Sequence, residues 1–249
     1  MRGEGNDPLP PDSRSEEKDG AMRISLGLGL VLLAAVLFVS PPANASSSQD
    51  ATAASPQQAI DAYVQDVLRV FQKYGDADLK ESAKQREHFK QDLSSVAREV
   101  FAYRIMVRMS LGRYWGEFTQ KQQEEMIELF VRLIEDNYFG KLMEYMGQVE
   151  SVSRDIIEIT DEIEFSSRKA EVRSVIHYNT KKIPVNYRMI LRQQQGWQVY
   201  DIHVEHVSLI SNYRSQFEDM LNRKSPEEVL ATMQRKVEED ETPDVLDSE

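Results

Sequence analysis

The chain has 249 residues, a formal net charge of −12 and no cysteine. An acidic balance of this size repels nucleic-acid phosphates and anionic lipid headgroups, so neither is expected as a binding surface. The absence of cysteine excludes thiol catalysis and disulfide staples.

The first 45 residues read as targeting rather than fold. Residues 1–21 form a polar N-terminal extension. Met22-Arg23 then precede an apolar run from Ile24 to Val39, Pro41-Pro42 break it, and Ala43-Asn44-Ala45 has the small-x-small form of a signal peptidase site. The expectation is export with the signal peptide (22–45) cleaved after Ala45, and Met22 as an alternative start. The run is shorter than the ~20 apolar residues of a spanning helix, and with no cysteine after it a lipid-anchored form is not expected. No later run is long enough to span a bilayer, so no stable membrane insertion of the mature chain is expected. Residues 1–45 hold four basic and six acidic side chains, which leaves 26 basic and 36 acidic for the remainder. The A-x-A site without disulfides suits a bacterial periplasm.

Residues 46–54 are small and polar and read as a linker, followed by one domain over 55–237. Ser55-Pro56-Gln57-Gln58 is a helix start, with Ser as N-cap, Pro in the first turn and Gln at the third position. Ile60, Tyr63, Val64, Val67 and Phe71 follow on one face. Lys73 to Gln91 reads as a loop with a short exposed helix. From Leu93 to Tyr114 one helix is expected: Val96, Val100, Val107 and Leu111 make a stripe that Phe101, Ile105, Met106 and Met109 widen, which calls for burial on two sides. Gly112 and Gly116 flank Arg113-Tyr114-Trp115 in a tight aromatic corner. Thr119 and Gln122 form a second capping box, opening a long helix with Met126, Ile127, Phe130, Leu133, Ile134, Tyr138, Leu142 and Tyr145 that ends near Gly147.

The apolar period then changes from 3.6 to 2. Ile157 and Ile159, Ile163 and Phe165, then Ala170, Val172, Ile176 and Tyr178, then Ile183, Val185, Tyr187, Met189 and Leu191 alternate with polar residues. Trp197 to Val204 supplies a last strand, which runs into a helix carrying Leu209, Ile210, Tyr213 and Phe217. Four strands with short connections predict an antiparallel meander. Ser225-Pro226-Glu227-Glu228 opens a final helix, and residues 238–249 read as a disordered acidic tail. Helices, then strands, then helices predict an α+β fold with helices on one face of the sheet.

Chemistry is hard to find. His203-Val-Glu-His206 resembles a metal cluster, but on a strand residues three apart diverge, and His88 and His177 have no partners at ligand spacing. Asp155, Asp161, Glu162 and Glu164 read as a solvated strand end. No G-x-S-x-G elbow or phosphate loop is present. No cofactor, metal or catalytic residue is therefore expected, and Asp201 reads as a salt-bridge or cap partner. What remains is a surplus of apolar side chains that serve a filled core or a hollow one equally well.

Leu111-Gly-Arg-Tyr-Trp115, Trp197-Gln-Val-Tyr-Asp201, Tyr187-Arg188 and the segment Val204 to Phe217, including Ser208-Leu209 and Asn212-Tyr213-Arg214-Ser215-Gln216-Phe217, resemble the signature of the MlaC (toluene-tolerance auxiliary) family. The resemblance spans about residues 56–237. It implies a nuclear-transport-factor-like fold in which helices on a curved, four-stranded antiparallel sheet enclose an apolar cavity. It also implies a periplasmic carrier that holds a phospholipid by its acyl chains and serves outer-membrane lipid asymmetry. The partners it implies are an inner-membrane ABC transporter with an MCE-domain subunit and an outer-membrane lipoprotein complex. The expected lipid-binding wall is Val107, Leu111, Phe130, Ile134 and Tyr138 from the helices, with Val185, Tyr187, Met189, Ile202 and Val204 from the sheet. A carrier of another apolar lipid, such as a hopanoid, and a non-carrier adaptor or hydrolase using Asp201 and His203 are the alternatives. One departure stands out: His206 occupies a position before Val-Ser where the family commonly has Gly.

Overall fold

The computed structural model describes residues 54–75, 79, 81–146, 157–178 and 181–241. The expected extension, signal peptide and most of the linker lie outside them. The helices are α1 (Pro56–Lys73), α2 (Ala83–Val100), α3 (Tyr103–Leu111), a 3-10 segment (Gly112–Glu117) and α4 (Gln120–Met146). Then come β1 (Ile157–Ser166), β2 (Lys169–Tyr178), β3 (Lys181–Arg192), β4 (Gly196–Val204) and β5 (Val207–Ser208), followed by α5 (Leu209–Leu221) and α6 (Pro226–Glu241).

The strands pair antiparallel in chain order, β1-β2-β3-β4-β5. The sheet therefore has five strands rather than four; the added strand is a two-residue return of the chain after β4. Alternation works as the period-2 pattern requires: Ala170, Val172, Ile176, Val185, Tyr187, Met189, Val199, Ile202 and Val204 are buried. Helices α1, α3 and α5 pack on the sheet, α2 reaches β4, and α4 packs on α3 and pairs with α6.

All three capping boxes form. Ser55 Oγ accepts from Gln58 N at 3.1 Å, Thr119 Oγ1 from Gln122 N at 3.3 Å and Ser225 Oγ from Glu228 N at 3.4 Å. Each Gln or Glu side chain accepts in return from the cap backbone. These contacts satisfy amides that the helix itself cannot.

Two helix boundaries differ from the expected ones. The segment read as loop and short helix instead begins a full helix at Ala83, capped by Ser82. The helix expected to run unbroken from Leu93 to Tyr114 stops at Val100. Phe101 is extended (φ −98°, ψ 134°), Ala102 N donates to Val199 O at 2.9 Å, and Phe101 bridges Val199 in parallel. No Gly or Pro marks the break; β4 takes the main chain that the helix would have used. At the other end, the last helix runs to Glu241, four residues into the expected tail.

The aromatic corner depends on Gly112, whose φ of +54° strains any side chain. The Arg214 guanidinium caps the helix that ends there, donating from Nε (3.0 Å) and Nη2 (2.6 Å) to Met109 O. On the far side of the sheet, Glu171 is buried between Arg173 (2.8 Å) and Arg188 (2.5 Å), and the Arg188 guanidinium lies 4.8 Å from the Phe165 ring centroid. Burial opposes the Glu171 charge, but the Arg173 hydrogen bond and the Arg188 charge outweigh it and hold the carboxyl below its ordinary range.

Between β4 and β5, Glu205 (φ 48°) and His206 (φ 72°) form a two-residue turn with both φ values positive, the type I′ pattern that favours glycine. His206→Gly should therefore stabilise the fold by roughly 1 kcal/mol, raising the midpoint of thermal unfolding by about 2–4 °C. Glu171→Gln should cost about 1–2 kcal/mol at neutral pH, because it leaves two half-exposed guanidiniums without their shared carboxylate. Since the folded carboxyl is depressed, its contribution is present above the ordinary carboxylate range and lost as pH falls through the folded value. Chemical denaturation at stepped pH should show the gap between the two proteins closing in acid.

Candidate functional site

The residues of the last hairpin build a support, not a reaction centre. Asp201 Oδ2 accepts from Ser208 Oγ (2.7 Å) and lies 3.0 Å from His203 Nε2, while Oδ1 accepts from Ile210 N at 3.1 Å. Ser208 Oγ in turn accepts from Ser211 N at 2.9 Å as the N-cap of α5. These polar contacts close the strand-to-helix corner. His206 stands exposed in the turn, away from His203, and no cluster of ligating side chains occurs among the described residues.

The hollow lies elsewhere. α2 crosses the molecule pinned at both ends: Phe89 sits at 5.3–6.0 Å from the ring centroids of Phe71, Tyr74 and Phe139, and the Phe101–Ala102 bridge holds the other end to β4. Between the pins, Leu93, Ser94, Val96, Ala97 and Val100 look into a cavity of about 110 Å³, walled on the other sides by Val67, Phe101, Tyr103, Met106, Ile134, Tyr138, Phe139 and Leu209. A second, smaller cavity of about 10 Å³ lies against the sheet, lined by Ile60, Tyr63, Val64, Tyr187, Val199 and Ile202. Val100 and Phe101 line both, so the break in the helix is the partition between two chambers. The Tyr63 hydroxyl, on the lining of the smaller one, donates to Trp197 O and ties α1 to β4.

Of the expected wall, Ile134 and Tyr138 line the larger chamber, and Tyr187 and Ile202 the smaller. Val107, Leu111, Phe130, Val185, Met189 and Val204 are buried in packing that faces neither. Phe130, for example, meets Tyr213 edge-on at 4.8 Å and Phe217 at 6.4 Å. The lining residues that the expected wall omits are chiefly those of α2, from Lys90 to Val100. Their signal was present, since Leu93, Val96, Ala97 and Val100 recur at helical spacing, but an apolar stripe does not tell a core from a cavity wall.

One edge of the larger chamber is polar. Lys90 Nζ donates to Asp136 Oδ1 at 2.5 Å, and Glu135, with its side chain 14% exposed, shares that edge. Burial pushes the Glu135 carboxyl up, opposed by a Ser94 hydrogen bond and the Arg98 charge. Tyr103, buried across from it, has its hydroxyl pushed up by burial and then by the Glu135 charge.

Fold and site together define an α+β protein with an apolar, chambered interior and no assembled catalytic group among the described residues. A model of the MlaC protein family matches residues 55–235, and the chain belongs to that family. Its fold is similar to that of a phospholipid-binding protein from Ralstonia solanacearum, solved in complex with a phospholipid, at a TM-score of 0.63 and 20% identity. The likeness covers 76% of this chain and all of that one. No curated protein sequence matches the chain.

Core and wall should separate by mutation. Phe130→Ala should cost about 3–5 kcal/mol as a core truncation, whereas Val96→Ala, already beside open space, should cost under about 1 kcal/mol. Urea unfolding of the two variants measures the difference.

Proposed function

We propose that this protein is a phospholipid carrier of the bacterial periplasm. It binds its lipid by the acyl chains and moves it between an outer-membrane lipoprotein complex and an inner-membrane ABC transporter bearing an MCE-domain subunit, in a nuclear-transport-factor-like fold. The observation that carries this reading is the apolar chamber under α2 in a chain of the MlaC family; the phospholipid held by the similar R. solanacearum protein supports it. Export with cleavage after Ala45 belongs to the same proposal. No described helix is long and apolar enough to cross a membrane, and the carrier is proposed to work as a shuttle rather than an enzyme.

The energetics suit such a cargo. Two acyl chains carry on the order of 30 methylenes at roughly 0.8 kcal/mol each when taken from water, so affinity needs no polar anchor. Ligand pockets usually enclose ~300–1,000 Å³, well above the 110 Å³ of the larger chamber. Loading therefore requires the walls to part. α2 is the wall that parts, because only Phe89 and Val100 of its side chains are buried. The residues expected as wall but now in packing, Val107 and Leu111 among them, become contacts as the chambers widen. The acidic surface limits residence on anionic bilayers, which leaves delivery to the protein partners and direction to their ATP hydrolysis.

Organic extraction of the protein purified from its exporting host, followed by mass spectrometry, should recover phospholipid. Ala97→Trp, which places an indole in the larger chamber, should fold and lose most of that lipid. A phosphorus-free lipid would redirect the reading to another cargo. No lipid from the purified protein, and none taken up from vesicles after delipidation, would end it.

A further inference from the structure

The polar edge of the larger chamber holds more charge than the fold requires. Glu135 Oε1 is buried without a hydrogen-bond donor, and the nearest guanidinium nitrogen, Arg98 Nε, stands 3.9 Å away, beyond hydrogen-bond reach. Arg98 is divided, since its Nη1 lies 3.5 Å from Glu128 Oε2. Asp136 occupies Lys90 instead. A buried carboxylate oxygen left without a donor is costly to a fold, and this one opens onto a cavity whose other lining is almost wholly apolar.

Resting on the carrier reading, we infer that the seam between α2 and α4 reads the lipid headgroup and favours a phospholipid with a primary ammonium. The ammonium donates to Glu135 Oε1. The phosphodiester sits beside Lys90, whose ammonium has three N–H donors and gives one to Asp136. The acyl chains run inward past Val100 and Phe101. Two features place the headgroup at this edge rather than in the depth of the chamber. Lys90 and Arg98 are 29% and 45% exposed and keep contact with solvent, whereas Met106 and Leu209, also on the lining, are buried. The hydrogen bond sets the preference. A primary ammonium brings a positively charged donor to the Glu135 carboxylate, whereas a glycerol headgroup offers only neutral hydroxyls and a quaternary ammonium no N–H at all.

Vesicles of equal phosphatidylethanolamine and phosphatidylglycerol, incubated with the delipidated protein and then removed, provide the test. Mass spectrometry of the reisolated protein should show the ethanolamine lipid enriched about five-fold, as expected for one partly solvated charge-assisted hydrogen bond. Glu135→Gln should carry as much lipid in total with a ratio near one. It removes a charge that burial already disfavours and is expected to fold. Glu128→Gln, outside the chamber lining, should keep the wild-type ratio. The unmutated protein gives a second reading: phosphatidylcholine in place of the ethanolamine lipid should lose the enrichment, because a quaternary ammonium donates no hydrogen bond. Equal uptake by the wild type, or an enrichment that survives Glu135→Gln, overturns the inference and leaves the carrier standing. Uptake of neither lipid overturns both.

Discussion

The main-chain bridge between Phe101–Ala102 and Val199 is the constraint on which the interior depends. An α-helix satisfies its own backbone, so a helix that stops without Gly or Pro needs another partner for the freed groups. Here that partner is β4, reinforced by Gln198 Nε2, which donates to Glu99 O at 2.8 Å. Because the chain turns at this point, α2 does not continue along the axis of α3 and its inner side is not packed flat on the sheet. The space beneath it is the larger chamber, and the break itself divides that space from the smaller one.

The rest of the scaffold keeps β4 fixed so that the bridge has something rigid to hold. Tyr63 ties α1 to Trp197, Asp201 gathers Ser208, His203 and the Ile210 amide of α5, and Glu205 N donates to Pro184 O at 3.0 Å across the neighbouring strand. This gives a physical role to the Trp197–Phe217 segment: it is framework, and its polar residues are consumed in making one corner. Arg214 extends the framework to the end of α3 through Met109 O. The strained turn at Glu205–His206 is tolerated because the pairing of Val204 with Val207 and the cap behind it over-determine the corner.

Much of this was legible in the chain itself. The three capping boxes and the change from a 3.6 to a 2 residue period are local signals, and each produced the element it announced; Lys181 and Lys182, which read as a turn, are instead the first residues of β3. The positive φ at His206 was readable as soon as the family resemblance set a Gly there. The site was less legible. Ile134, Tyr138, Tyr187 and Ile202 were named as wall and line a chamber, but Phe130 and Met189 have the same apolar character and are packed solid. The polar edge went unread because Lys90 is 46 residues from Asp136, on another helix, and these side chains look like ordinary solvent-facing charges on either one.

By itself, then, the sequence determined what is set within a turn or a strand: where most elements start and which face of each is apolar. The tertiary structure alone decided where the long apolar helix breaks, that a fifth strand closes the sheet, and which apolar side chains border open space. The physical reason is that hydrophobicity and helical spacing are properties of one segment. A cavity is a property of how several segments fail to close against each other, and here that failure is imposed by a hydrogen bond from Ala102 to a strand almost a hundred residues further along the chain.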